Sequence, residues 1–199
     1  FNFIDSLDKA SALTTDQIDV ENAERYGITY TDKDNKKKFP LILHLSPSGA
    51  IERVIYALLE KAYMQEKNSQ GRIKTSLPYW LSPTQVRIVP VSDNFLEEAL
   101  EIARDMNEHE KIRTDVDDRS LHVEKKVREA ELEWVPYIIV IGKKELDKQV
   151  LTVRARETGQ IQEMKPFAFK QVLKSKQQDK PWRPLPLPIL LSKRPKFYG

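Results

Sequence analysis

Apolar positions along this chain first recur with the two-residue period of strands and then shift to helical spacing. "FNFID", "QIDVEN", "GITYTD" and "FPLILHLS" are short strand-like runs, and the polar "DKDNKKK" between the last two has the composition of a hairpin turn. Together they predict an antiparallel arrangement. Phe39, Leu41, Leu43 and Leu45 fall on one face of the fourth run and Ile42 on the other, which predicts a central strand covered on both sides. Ile51, Val54, Ile55, Leu58 and Leu59 then repeat as the stripe of an amphipathic helix. Residues 1–66 thus read as one domain, and the polar, Gly- and Pro-punctuated stretch at 67–81 as a linker in which Leu77, Tyr79 and Trp80 dock.

From residue 82 the pattern changes. "VRIVPV" is a strand, residues 95, 96, 99, 102, 103 and 106 mark a helix, "IRTDVD" is a strand, "VEKKVREAELE" a helix and "YIIVIG" a buried strand. Strand, helix, strand, helix, strand at these lengths means crossovers and parallel strands with helices on the sheet faces. "VLTVRARE" follows, its alternation exposing Arg154 and Arg156 on one face, and "PFAFKQVLK" is a closing helix. This second domain spans 82–176, and the basic, proline-rich 177–199 reads as an extended tail whose Trp and Leu residues pack on the body. The fold class is α/β: an antiparallel first part, then a mixed, mostly parallel α/β/α domain.

The chain lacks cysteine, any apolar run near membrane-spanning length and a basic-then-apolar leader, which points away from a disulfide scaffold and a membrane partner and toward a cytoplasmic location. Phe1 opens in mid-pattern, as expected of a piece of a longer polypeptide. The net charge of +3 hides an asymmetry: residues 82–142 hold 8 Lys/Arg against 14 Asp/Glu, and residues 143–199 hold 14 against 5. A basic excess of that size suits a polyanion, through counterion release, or is a solvated surface.

Residue chemistry narrows the choice. In "GAIERVIYALLE" Arg53 stands in the first helical turn, where the backbone dipole already disfavours a cation, and about 200° round the helix from Ile51, off the apolar stripe. Glu52 offsets part of that charge; an anionic ligand would offset the rest. Gly, two residues, then Glu-Arg at a strand-to-helix junction resembles the third motif of class II aminoacyl-tRNA synthetases. The order "TTDQIDVENA", "TYTDKDNKKKFPLILHLSPSGAIERVIYALLE", "LPYWLSPTQVRIVPV", "VPYIIVIGKKE" and "VLTVRARE" resembles the threonyl-tRNA synthetase family along nearly the whole chain, and "RPLPLPILLSKRPKF" resembles the tail of its archaeal-type members.

That resemblance implies that 1–66 are the C-terminal part of a catalytic domain and 82–176 an anticodon-binding domain. It assigns Arg53 to the ATP phosphates, a task for which a permanently charged, many-donor guanidinium is suited, and Thr15 and Gln17 to the adenylate pocket. His44 stands where the family places the last of its zinc ligands, one Cys and two His. With no Cys, and with His109 and His122 far along the sequence, this chain by itself is expected to bind no zinc and to form no aminoacyl-adenylate; zinc and magnesium-ATP belong to the intact enzyme. Arg128, Glu145 and Arg154 match positions that contact anticodon bases, Arg119 and His122 fall in the preceding loop, and Arg156 is a candidate phosphate contact. Implied partners are threonine tRNA, ATP, threonine and a second copy in a homodimer. A non-catalytic RNA-binding module, or an editing-type relative with a degenerate catalytic fold, is the alternative.

Overall fold

The computed structural model describes residues 1–195; the last four residues of the expected tail lie outside the described residues. The chain divides into two units, Phe1–Met64 and Gln65–Gly199.

In the first unit β1 (Asn2–Ile4) pairs antiparallel with β2 (Ala10–Ala12). β3 (Thr15–Asp19), α1 (Asn22–Arg25), β4 (Tyr30–Thr31), β5 (Lys37–Lys38), β6 (Ile42–Ser46) and α2 (Ile51–Asn68) follow. Both tight hairpins are closed by an aspartate. Asp5 accepts the backbone N–H groups of Leu7 and Lys9 at 2.8 and 2.9 Å and the Tyr56 hydroxyl at 2.9 Å, and Asp32 accepts those of Asp34 and Lys36 at 2.9 and 3.1 Å. These are the local side-chain bonds that let Asp initiate turns. The N–H groups of Lys9 and Leu7 hold the Asp5 carboxyl below its ordinary range against the opposing effect of burial.

β6 corrects one expectation. Among the described residues its one strand partner is β3, and Leu41, Leu43 and Leu45 are 64%, 65% and 66% exposed. The alternation was sound as a statement of face, but among the described residues no layer covers the apolar one.

The second unit is built on β7 (Val86–Pro90), α3 (Leu96–Glu108), β8 (Thr114–Val116), α4 (Val123–Leu132), β9 (Tyr137–Ile141), α5 (Lys143–Lys148), β10 (Leu151–Ala155), β11 (Ile161–Met164) and α6 (Pro166–Gln177). The strand order is β11-β10-β9-β7-β8, with β7 parallel to β8 and β9. Val86 and Ile88 of β7 join Ala99, Ala103 and Met106 of α3 and Phe169 and Leu173 of α6 in the main core, while Val89 and Ile138 join Ala130 of α4 in a second cluster. Helices therefore cover both faces, the predicted three layers. Burying an aromatic or branched aliphatic side chain of this kind contributes about 1.5–3 kcal/mol.

The sheet is mixed rather than mostly parallel, because β10 runs antiparallel to β9 and β11 antiparallel to β10. Residues 142–150 hold only α5 and are too short for a parallel crossover, so the chain turns back through Gln149, which takes a left-handed conformation (φ 51°). Between α6 and residue 195 the chain holds a 3-10 turn at Leu191–Lys193, and Val116 donates its N–H to Ile189 O at 2.9 Å beside a parallel bridge to Leu190. The tail thus lies along the outer edge of β8.

The charge asymmetry is partly consumed inside this unit. Lys170 and Lys174 pair with Glu110 at 3.3 and 2.5 Å, Arg154 with Glu131 at 3.0 Å, and Arg194 with Asp115 at 2.8 Å. Basic residues of the late segment thus meet acidic residues of the early one.

Candidate functional site

Two sets of candidate residues lie in the two units. In the first, the register of β3 and β6 sets Thr15 opposite Ser46 and Gln17 opposite His44. Directly opposed residues share a face, so these four make a polar surface behind which Ile18, Leu43 and Leu45 point the other way. His44 Nδ1 lies 3.1 Å from Gln17 Oε1. With the amide oxygen as acceptor, Nδ1 carries the proton and Nε2 keeps its lone pair, the tautomer a ligating imidazole needs. Gln17 and His44 are therefore brought together from residues far apart in sequence. Among the described residues no group of three His, Cys, Asp or Glu is placed to hold a metal ion, so these residues do not by themselves fit a zinc ion.

The segment joining β2 to β3 anchors the start of α2. Arg53 donates through Nη1 to Ala12 O at 2.7 Å and is otherwise exposed. Gly49 has φ +60°, and a Cβ there would sit 1.8 Å from Leu13 O. Only glycine fits this turn, which sets where the first turn of α2, and with it Arg53, begins.

In the second unit two concavities meet at Val123 and Glu124. The smaller, about 350 Å³, has α4 on one side and β9–β11 on the other; Val127, Arg128, Glu131, Thr152 and Arg154 line it. Arg128 is exposed, while Arg154 is half-buried with its Nη1 on Glu131 Oε1. Glu145 does not line it but touches a residue that does: Glu145 Oε1 accepts the Thr152 hydroxyl at 2.8 Å, and Oε2 accepts the Gly142 N–H at 3.0 Å, which caps the start of α5.

The larger concavity, about 720 Å³, opens at the ends of β7 and β8. His122 is exposed immediately before α4, its carbonyl accepting the Lys125 and Lys126 N–H groups. Arg119 is bidentate on Asp117 at 2.8 and 2.6 Å and reaches Glu129 at 2.7 Å. Burial pushes the Asp117 carboxyl up, but the Arg119 hydrogen bonds and charge, with the nearby Lys126 charge, hold it below its ordinary value. Arg119 therefore shapes this loop more than it offers free charge.

Arg156 requires a correction. Its Nε donates to Thr75 O at 2.7 Å, its Nη1 donates to Glu131 O, and the guanidinium lies 5.9 Å from the Trp134 ring centroid. These contacts occupy the group expected to meet phosphate, and the side chain, like that of Arg154, is half-buried rather than exposed.

Sequence reading missed Lys126, Glu131 and Thr152. A signal existed for Lys126. It occupies the stripe Val123, Lys126, Val127, Ala130, where helical spacing calls for an apolar residue, and it is 5% exposed.

Residues 85–176 match the family described as "Anticodon binding domain". Over 199 residues, all of this chain and 31% of the relative, the sequence is 55% identical to the protein named threonine–tRNA ligase of Thermococcus onnurineus, and 55% identical over the same shares to that of Pyrococcus horikoshii. The protein of the same name from Methanosarcina mazei is 52% identical over 99% of this chain and 31% of its own length. The chain thus spans about a third of the length of these curated relatives. The solved RNA binding domain of threonyl-tRNA synthetase from Cryptosporidium parvum superposes with a TM-score of 0.60 at 24% identity, covering 88% of this chain and 41% of that one, which supports the fold.

Proposed function

We propose that this chain, a member of the threonine–tRNA ligase family by a likeness that runs its whole length, is the C-terminal portion of such a ligase and reads the anticodon loop of threonine tRNA. The intact enzyme activates threonine with ATP and transfers it to that tRNA in the cytoplasm, as a homodimer. The observation that carries the reading is the smaller concavity. Arg128 and Arg154 converge there with Thr152 inside the segment that matches the anticodon-binding family. RNA loops are recognised by splaying bases into such sites and bonding their edges, and the volume falls within the range of about 300–1,000 Å³ usual for small-ligand pockets.

Arg154, steadied by Glu131, donates to a base edge; Arg128, on the exposed side of α4, meets the same loop. Glu145 holds Thr152 and the start of α5 in place, and His122 borders the adjoining concavity. In the first unit Arg53 is the candidate ligand of the ATP phosphates, with Thr15 and Gln17 near the adenylate. Gln17 fixes the His44 ring, which supplies one zinc ligand and no more. The remaining ligands lie outside these residues.

Replacing Arg154 with Ala is expected to weaken binding of threonine tRNA by about 1–3 kcal/mol and to relax the preference for its anticodon. Binding measured against a tRNA with an exchanged anticodon decides the matter. An equal loss on both would reduce Arg154 to a phosphate contact and remove the reading.

A further inference from the structure

Trp134 stands in a conformation that suits it badly. Its φ is 58°, in the left-handed region, one residue past Glu133, the C-cap of α4. Its N–H donates to Glu131 O at 3.2 Å and that of Val135 to Ala130 O at 3.1 Å, the paired helix closure that ordinarily takes glycine. A tryptophan there carries backbone strain that glycine escapes. Ala130 and Val135 pack together in the second core cluster and fasten this helix end themselves, so ending α4 does not call for an indole.

What the indole meets is a cation. The Arg156 guanidinium lies 5.9 Å from its ring centroid, within the range of a cation–π contact. The same guanidinium donates through Nη1 to Glu131 O and through Nε to Thr75 O at 2.7 Å, and the Thr75 N–H is held in turn by Glu66 Oε2 at 2.8 Å. Two carbonyls from separate segments and a ring face are a task for the planar fork of arginine, which lysine cannot reproduce.

Glu131 is where these contacts converge. Trp134 and Arg156 both donate to its carbonyl, while its carboxylate holds Arg154 Nη1 at 3.0 Å. The Arg154 and Glu131 side chains are 35% and 40% exposed, and an ion pair that wet fixes two long side chains only weakly by itself. Hydrogen bonds to a base edge weaken steeply when misdirected. The aim of Arg154 therefore depends on how firmly the Glu131 backbone is held.

We propose that Trp134 and Arg156 are positioning residues for anticodon discrimination: together they fix the Glu131 backbone, and through the Glu131 carboxylate they aim Arg154 at the base it reads. This rests on the reading of Arg154 given above and deepens it, with no RNA contact assigned to either residue.

The test measures binding of the 199-residue chain to threonine tRNA and to the same tRNA with an exchanged anticodon, below the melting transition of every variant. Arg156→Lys keeps the charge and loses the fork. It is expected to lower affinity for threonine tRNA about fivefold, part of the loss that Arg154→Ala gives, to leave the exchanged tRNA nearly unaffected, and to keep the wild-type slope of log affinity against log salt. Trp134→Gly, which relieves the left-handed strain, is expected to lose discrimination in the same sense without a fall in melting temperature; Trp134→Asn, also at home in that conformation, repeats the measurement if the Gly variant melts early. On an Arg154→Ala background neither change has a further effect, because both act through that side chain. Losses that add to that of Arg154→Ala overturn the proposal. So does an equal loss on both tRNAs, which with a shallower salt slope means a phosphate contact, and so does unchanged discrimination in Arg156→Lys or Trp134→Gly. Undiminished discrimination in Arg154→Ala alone removes the underlying base-reading role instead, whatever the two positioning variants do.

Discussion

Gly49 and Asp115 show how differently single residues declare themselves. With φ +60° and Leu13 O only 1.8 Å from where a Cβ would be, Gly49→Ala must strain the turn or push the β2–β3 junction away. An unfavourable left-handed residue alone costs about 1–3 kcal/mol, so the urea midpoint of the chain is expected to fall; an unchanged midpoint would contradict the close approach. That glycine was legible in the sequence, because it opens a motif whose spacing places Arg53 on the first turn of α2. Asp115 was not. It is fully buried with Arg87, accepting the Arg87 Nε at 2.9 Å, the Thr84 hydroxyl at 3.0 Å and Arg194 at 2.8 Å. Strand alternation in "VRIVPV" cannot distinguish an arginine facing solvent from one buried under α4 and Glu133. Removing Asp115 leaves Arg87 buried with only Glu133. Breaking a buried pair in this way costs about 3–5 kcal/mol, a loss that denaturant unfolding of Asp115→Ala would register.

Among elements, the long, strongly periodic ones were legible and the short, charged ones were not. α3, α4 and β9 follow the apolar spacing because each packs a full face against the core. α5 is six residues, "KKELDK", with no buried position, and β11 exposes Ile161, Gln162 and Glu163 at the sheet edge. Neither had a stripe to read. What holds α5 is its start: Glu145 takes the Gly142 N–H and the Thr152 hydroxyl. Glu145→Ala is expected to cost about 1 kcal/mol, the usual value of a lost cap, while Glu145→Gln keeps a capping acceptor and stays near wild-type stability. Any loss of anticodon preference in the Gln variant, at unchanged melting temperature, would then report the carboxylate charge acting on RNA and not on the fold. Equal melting temperatures for the Ala and wild-type chains would remove the capping role. The same scale explains why the candidate sites were found residue by residue but not as cavities. Gln17 and His44 meet only through the β3–β6 register, and Arg128 and Arg154 only through the packing of α4 on β9–β11.

For the second unit as a whole, the uneven charge of its sequence turns out to be partly internal complementarity. Lys174 and Lys170 close on Glu110 from α6, and Arg119 closes on Asp117. The hydrogen bond from Lys174, followed by that from Lys170, holds the Glu110 carboxyl below its ordinary 4.5 although burial opposes it; Asp117 is held below 3.8 by Arg119 against a larger burial effect. A carboxylate depressed in the folded state adds stability that is complete above its ordinary value and is lost as the pH falls through the folded one. The melting temperature is therefore expected to be insensitive to these two groups above about pH 5 and to decline as the pH is lowered beneath 4.5 and then 3.8. Lys174→Met removes the leading cause at Glu110. Its carboxyl then titrates nearer the ordinary value, so the deficit relative to wild type is present at neutral pH and shrinks as both proteins are taken through the acid limb. Salt should narrow the same gap, because Lys174 is half-exposed and exposed charge is screened within about 10 Å at 0.1 M ionic strength. Melting curves of the two chains at pH 7 and pH 3 decide it: a gap that is constant with pH would mean that Lys174 acts through packing of its stem, and the electrostatic account of how α6 is fastened to the domain would have to be given up.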